Sequence, residues 1–477
     1  MDKLGIGRTV CIISVVVMAS AMWSQAQTFT TLLDFDQTDG DRASSVIQGN
    51  DGNLYGATMF GGSRFEGTIF KYSADGTLST LYNFCSRKNC ADGAWPTTLI
   101  QLTDGSFVGI AIEGGLRSST CGSGCGTVFR LTSAGTLQVL HTFCTESNCT
   151  DGGAPTGLIQ GIDGKFYGTT NGGGAYNGGA VFSLTPTGKF TLLYSFCAQT
   201  NCPDGDSPNS GIIQANNGML YGTTAFGGAN GSGGTIFQIT TGGKLTSFSV
   251  FTNDLGVDAY PNGLVQAADG NLYGTSYGAG SHGAAFQFTL TGKYTLLHIF
   301  CETVSCFDGS TPNTALVQGS DGRLYGTTLL GGTRGNGTIF SVTRTGGFAL
   351  VHTFCSDSPC TEGYYPSPLM QDTSGVFYGL TQYGGLGYGA FYSLDKGLKA
   401  FIKTNPTFGK VGMTIGILGN NLTDASGVTF NGTPATFTVA SDTYISATVP
   451  TGATTGTIEV TTPSGTLSSN VPFRVLP

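Results

Sequence analysis

Thirteen cysteines, four histidines and a sparse set of acids carry whatever chemistry this chain of 477 residues can perform. Twelve of the cysteines fall into close pairs: Cys85/Cys90, Cys121/Cys125, Cys144/Cys149, Cys197/Cys202, Cys301/Cys306 and Cys355/Cys360. Pairs so close together are either thiolate ligands of a metal or short-loop disulfides. The spacing is C-x4-C in five of them and C-x3-C in one, with no C-x2-C. That pattern favours six disulfides, each pinning one turn. Short loops constrain an unfolded chain little, so the effect of each bond falls on its own surface loop.

The acids are regular. Asp39, Asp92, Asp151, Asp204, Asp258, Asp308 and Glu362 recur at a nearly constant interval, several of them just past a cysteine pair. Two readings stand side by side. Each acid could close an Asx-type turn, or together they could ring one mouth as a cation site or a polar rim for a sugar. Calcium is the cation such carboxylates would take, but no other residue supports one, and neither a cofactor nor a metal is expected. His141, His298 and His352 each stand two residues before a phenylalanine, where Tyr82 and Tyr194 stand elsewhere. They therefore read as strand residues, and His282 as a solvated loop residue. No G-x-S-x-G, H-E-x-x-H or EF-hand loop occurs. Hydrolysis by two carboxylates stays open, because such a pair would meet only in the folded chain. Phe60, Tyr176, Phe226, Tyr277, Tyr383 and Tyr388 lie near glycine-rich loops and could stack on sugar rings or peptide side chains, or pack the loops together.

The elements that position these residues are repeats. Asn53-Leu54-Tyr55-Gly56-Ala57-Thr58 returns as Lys165 to Thr170, Met219 to Thr224, Asn271 to Ser276, Arg323 to Thr328 and Val376 to Thr381, with a weaker copy at Ser106 to Ala111. The result is seven units of about 53 residues. The second is lengthened by Ser118 to Gly124, which carries the Cys121/Cys125 pair. Each unit reads as four short strands separated by Asp-Gly and Gly-Gly turns, the pattern of a β-propeller blade. One strand is left over. Thr30 to Phe35 repeats the fourth-strand pattern ahead of the first unit, whereas the seventh unit lacks a fourth strand. Thr30 to Phe35 is therefore expected to complete the last blade, with Leu33 beside Phe391 and not Leu398 to Ile402 in that slot.

Composition agrees. Glycine supplies 77 residues, more than twice the usual share of about 7 %, with only 16 prolines and no strict G-X-Y period. Interior glycines disfavour helices, so turn-dense β-structure remains. Charged residues are 10 % and hydrophobic ones 39 %, which excludes disorder. The net charge of −8 and the scattered basic residues give no attraction for nucleic acid or anionic lipid. Lys3 and Arg8, an apolar run to Trp23 and Ser24-Gln25-Ala26 read as a secretory signal over residues 1–26, too short to span a bilayer. No other stretch is a candidate span. From about Phe401 the repeat stops, and dense alternating strands and turns read as a small β-sandwich over residues 401–477.

Two resemblances add to this. Gly409, Gly412, Phe430-Asn431-Gly432, Ala435, Ser441-Asp442 and Val449-Pro450 make the C-terminal part similar to an IPT/TIG immunoglobulin-like domain. The Gly-Gly, Gly-Thr-(Ile/Val)-Phe and Asp-Gly-x-x-Tyr-Gly-Thr-Thr elements of residues 28–395 resemble the secreted bacterial GloVer tandem-repeat proteins of choice-of-anchor type, a family that implies no established activity. The Tyr-Gly element also resembles streptogramin lyase-like propellers, but no catalytic histidine and acid pattern carries over. The expected protein is all-β: a seven-bladed propeller followed by an immunoglobulin-like sandwich. It is expected to be secreted, extracellular or at the cell surface, with the periplasm the alternative, and monomeric. Its expected role is binding an extracellular carbohydrate or protein ligand; the rival class is a propeller-type lyase or hydrolase acting on an extracellular polysaccharide or small molecule. The missing catalytic motifs favour binding.

Overall fold

The computed structural model describes residues 27–118, 121–229, 233–251, 259–278, 282–303, 305–356 and 360–477. The signal expected at residues 1–26 and the acid Asp258 lie outside them. Apart from two single-turn 3-10 segments, Lys88–Cys90 and Ser147–Cys149, the regular structure of the described residues is all strand. None of their helices is long and apolar enough to cross a membrane.

Each repeat folds into one antiparallel sheet. In the first, Asp41–Gln48, Leu54–Phe60, Thr68–Tyr72 and Leu78–Asn83 pair in chain order. The same meander runs from Ala94–Gln101 to Leu137–Thr142, from Gly153–Gln160 to Phe190–Ser195, and from Ile213–Gln214 to Leu245–Phe248. It returns from Pro261–Gln266 to Tyr294–Ile299 and from Ser310–Pro312 to Phe348–Thr353. The last repeat supplies Tyr364–Pro366, Met370–Gln371, Phe377–Tyr383 and Ala390–Asp395, and its outer place is filled by Thr28–Asp34 from the other end of the chain. Leu33 pairs with Phe391, as the surplus strand required. Ile402 lies elsewhere, bridged to Ser469.

The Tyr-Gly glycine has a steric reason. Across each second and third strand an aromatic ring sits where a Cβ would project: Phe70 over Gly56, Phe129 over Gly109, Phe182 over Gly168, Phe237 over Gly222, Phe286 over Gly274, Phe340 over Gly326 and Tyr392 over Gly379. These rings are fully buried and hold the blade flat against its neighbour. Apolar clusters span adjacent blades, including Phe35, Leu380 and Phe391 of the last with Ala43, Val46, Leu54 and Phe70 of the first.

A glutamine ends the innermost strand of every blade, and in all but the third, where among the described residues Gln160 bonds only its own turn, it latches the strand to the blade before. Gln101, Gln214, Gln266 and Gln371 each donate from Nε2 to the carbonyl of the turn glycine four residues on, at 2.8–3.1 Å. Their Oε1 atoms accept backbone N–H groups of Asn50, Ile162, Asn216 and Ser320 from the preceding blades at 2.6–3.0 Å. Thr373 N–H donates to Gln48 Oε1 at 3.0 Å, joining the last blade to the first. The innermost strands come close enough that a Cβ on Gly157 would strike the backbone of Gly211 in the next blade.

Beyond the repeats, Lys403–Asn405, Thr414–Leu418, Tyr444–Thr448 and Phe437–Ser441 form one sheet, and Thr433–Pro434, Gly427–Phe430, Ile458–Thr462 and Gly465–Ser468 another. Phe408–Lys410 runs parallel to Arg474–Leu476. Both sheets share a core that includes Ile415, Ile417, Val428, Phe430, Ile445 and Val460. This C-terminal unit is seated on the blade end that bears the turns between first and second strands, here called the lower end. Ser441 and Thr443 donate to Asn50 O, Asn420 donates to Thr373 Oγ1, and Arg474 donates to Asn216 Oδ1. Gln318 and Asn470 exchange two bonds, and Lys403 Nζ donates to Gln371 O. Burial lowers the Lys403 ammonium to about 8, with Asp372 opposing. Residues Thr404 to Phe408 also face Gln101, Gln160 and Gln214 across a cavity of about 260 Å³, so the unit lies across the axis of the blades.

Candidate functional site

With the lower end occupied, the loops between second and third strands and the cysteine-bearing connections between blades form the upper end. All six cysteine pairs are disulfides: Cys85 to Cys90, Cys121 to Cys125, Cys144 to Cys149, Cys197 to Cys202, Cys301 to Cys306 and Cys355 to Cys360. Their reach is wider than the single turn expected of each. The carbonyls of Cys90, Cys149, Cys202 and Cys306 accept from Gly115, Gly174, Gly228 and Gly332, glycines in the upper loop of the following blade, at 2.8–2.9 Å. A bond that fixes the second cysteine of the pair therefore also positions the neighbouring loop. The last pair departs from this pattern: Cys360 Sγ lies 3.5 Å from Gly363 O, within its own connection.

The acids sit inside these connections. Asp92, fully buried, accepts from Tyr82 Oη at 2.7 Å and from the N–H groups of Ser86 and Arg87. Asp204 accepts from Tyr194 Oη and Cys197 N–H. Asp308 meets His298 Nε2 at 2.9 Å and accepts from Cys301 N–H. Glu362 meets His352 Nε2 at 2.8 Å, and Asp151 lies 3.5 Å from His141 Nε2 while accepting twice from Thr145. Burial pushes the Asp151 carboxyl up, but His141 and Thr145 outweigh it and hold the group below the ordinary range.

Each of these acids thus fastens its connection to the fourth strand of its own blade, always to the Tyr or His ten residues earlier. That constant offset is visible in the sequence and was the unread signal. The repeat-equivalent histidines are indeed strand residues, with the acid as partner. Among the described residues, the acids bring no three ligand atoms within metal-binding distance; the one such group is Cys121, Cys125, Cys144 and Cys149, already joined as two adjacent disulfides.

Asp39 differs. It caps Asp36 N–H at 2.9 Å, and burial raises its carboxyl to about 6, with the Asp36 charge adding and that hydrogen bond opposing. A carboxyl that holds its proton more tightly in the folded chain costs stability as pH climbs from about 4 through 6. Asp39→Asn is expected to flatten that decline and raise the melting temperature above pH 7. Melting curves from pH 4 to 8 check it, and an unchanged slope would count against it.

One residue near the start of the innermost stretch of each blade carries a second regular feature. Arg42, Trp95, Ala154, Ser207, Tyr260, Thr311 and Tyr365 all adopt φ between 52° and 59°. Left-handed backbone at non-glycine positions costs about 1–3 kcal/mol each and concentrates where structure holds a ligand site. Each N–H here donates to the preceding blade's upper loop, as Trp95 does to Glu66 O and Tyr365 to Asn336 O. Backbone is constant at this position while the side chain varies, which is how a repeated frame presents different groups around one mouth.

Between the last, first and second blades these side chains join the loop aromatics in an arc. Phe60 lies 4.8 Å from Trp95, centroid to centroid. The Arg42 guanidinium lies 4.8 Å from the Phe60 ring and 5.0 Å from Tyr383, and Tyr383 stacks on Tyr364 and meets Tyr365 edge-on. Of this arc, sequence reasoning singled out only Phe60 and Tyr383. Tyr176, Phe226 and Tyr277 are exposed, and Phe226 packs edge-on against Tyr260. Beside the arc lies a cavity of about 600 Å³ lined by Glu113, Asn171, Asn177 and Ser207. Burial raises the Glu113 carboxyl, with the Glu66 charge adding and a Ser123 hydrogen bond opposing.

Successive four-stranded sheets latched edge to edge define a protein of the β-propeller type. The chain belongs to the Gloeobacter/Verrucomicrobia repeat family, whose pattern matches residues 21–157, 116–319 and 234–443. No curated protein matches it. Among solved structures it is similar to a fungal alcohol oxidase of the AA5 family in complex with copper, at 14 % identity and TM-score 0.51, covering 94 % of this chain and 99 % of that one. That likeness concerns the fold. A putative gluconolactonase matches at 13 % identity and TM-score 0.40, covering 79 % of this chain and 94 % of its own. A putative glucose dehydrogenase from Thermus thermophilus matches at 13 % and 0.41, covering 78 % and 100 %.

Proposed function

We propose that this is a secreted binding protein, exported by the segment at residues 1–26 and active as a monomer without a cofactor. Residues 28–395 form a seven-bladed propeller and residues 401–477 an IPT/TIG-type immunoglobulin-like sandwich that stands on its lower end. The upper face engages an extracellular carbohydrate. The observation that carries this reading is the arc Trp95, Phe60, Arg42, Tyr383, Tyr364 and Tyr365: flat aromatic faces beside a polar cavity suit the apolar face of a sugar and its hydroxyl edge. The acids act in this reading as supports of the mouth, and the disulfides, together with the export segment, suit an oxidising exterior. A glycan array is expected to show selective retention, weakened about tenfold in Trp95→Ala, the loss of roughly 1.4 kcal/mol of stacking. Retention unchanged in that variant would remove the arc from the site, and a protein ligand bound in place of any glycan would replace the carbohydrate.

Glu113 favours one second reading, that of a hydrolase or lyase. A carboxyl raised by burial and by a neighbouring carboxylate, lining a cavity, has the attributes of a general acid. Turnover of a polysaccharide, lost in Glu113→Gln, would establish it.

A further inference from the structure

We propose that Arg42 makes the upper mouth a receptor for an acidic sugar, binding the carboxylate of a uronate residue whose ring lies along the aromatic arc. This rests on the carbohydrate reading of the upper face and adds the class of sugar. The guanidinium is sandwiched between the Phe60 and Tyr383 rings at 4.8 and 5.0 Å. Those rings hold the cation by attraction to their faces without occupying its donors. Its Nε is buried and donates to nothing, and no described carboxylate forms an ion pair with it. Burial raises the carboxyl of Asp41, its neighbour in sequence, while the Arg42 charge pulls it down. A guanidinium with no acid paired to it is matched by a planar carboxylate, which takes two parallel bonds from its terminal nitrogens.

Geometry adds selectivity. Arg42 occupies one of the left-handed positions near the start of an innermost strand, and its N–H is tied to Tyr388 O of the adjacent blade at 3.2 Å. The other described members of that series carry no positive charge: Trp95, Ala154, Ser207, Tyr260, Thr311 and Tyr365. Within that series Arg42 is the single cation, in a chain of net charge −8. Such a site takes one anionic group held next to an apolar ring face, as in a hexuronate, and not a polyanion needing several cations.

The test uses the full mature chain and isothermal titration in low salt with methyl galactosiduronate and its methyl ester, which share one sugar ring and differ in whether its single carboxyl group is ionised or methylated. Wild type is expected to bind the acid at least about tenfold more tightly than the ester. Arg42→Gln is expected to abolish the difference with the melting temperature unchanged, and Arg42→Lys to restore part of it. Equal affinity of wild type for acid and ester overturns the proposal without needing a variant to fold, as does a preference that survives in Arg42→Gln. Trp95-dependent binding of neutral glycans alone would sink the uronate assignment and leave the carbohydrate reading standing; no glycan binding of any kind would sink both. Arg42-dependent binding of N-acetyl-trialanine without binding of the sugars would reassign the site to peptide carboxylates and overturn the proposal.

Discussion

Phe35→Ala is expected to destabilise the folded chain by about 3–5 kcal/mol, the range for truncating a buried phenylalanine. Phe35 follows the strand Thr28–Asp34 that completes the last sheet, and its ring is wholly buried against Phe70 of the first blade, 5.5 Å between centroids. Its backbone N–H donates to Gly389 O at 3.0 Å, a bond the variant keeps, so the loss isolates the side chain. The position is the seam where the two ends of the repeat array meet. A cavity there weakens a closure made by one short strand, and opening it exposes the edge of Ala390–Asp395. Urea denaturation should show the midpoint falling well below that of Leu192→Ala, a control at an exposed position of a mid-array blade. Equal midpoints would mean that the seam carries no special share of the stability.

Gly168→Ala should cost about 1–3 kcal/mol although it adds a single methyl group. Its Cβ would lie 2.5 Å from Phe182 Cζ and 2.6 Å from Gly157 O, and neither the ring nor the strand can retreat without shifting a neighbouring blade. Gly172→Ala is the matched control, since its backbone is unstrained and nothing lies within 4 Å of the added atom. The double variant Gly168→Ala/Phe182→Leu should be more stable than the sum of the single losses, because trimming the ring makes room for the methyl. Strict additivity in that cycle would show that the ring over the glycine is not the cause.

Why the Tyr-Gly element recurs was thus partly legible in the sequence. Its period and the surplus strand at Thr30 to Phe35 led to the blades and to the pairing of Leu33 with Phe391. Other devices were written just as plainly. A glutamine stands seven residues before the Tyr-Gly position in each unit, from Gln48 to Gln371, and an acid ten residues after a Tyr or His. Those offsets became meaningful only when hydrogen bonds gave each residue a partner in its own or the preceding blade. The cysteine pairs were legible as disulfides, but the grip of Cys202 and Cys306 on the next blade's loop runs through backbone carbonyls, which leave no mark on residue type. The arc at the mouth was not legible: Arg42 and Trp95 share one repeat position, and Phe60 and Tyr383 another, but the residue type at each position changes from blade to blade and chain order does not show which side chains meet. Chain order also says nothing about which end of the blades the C-terminal sheets choose, since that choice is made by scattered surface groups such as Asn50, Asn216 and Gln318.

The seating of those sheets has a consequence for traffic. With one end of the axis stoppered by the C-terminal unit, a long polymer has no way to thread through the molecule. A chain held at the open side must drape across it or offer its terminus. On the proposed carbohydrate reading, such a chain would be gripped and released at the surface without sliding through.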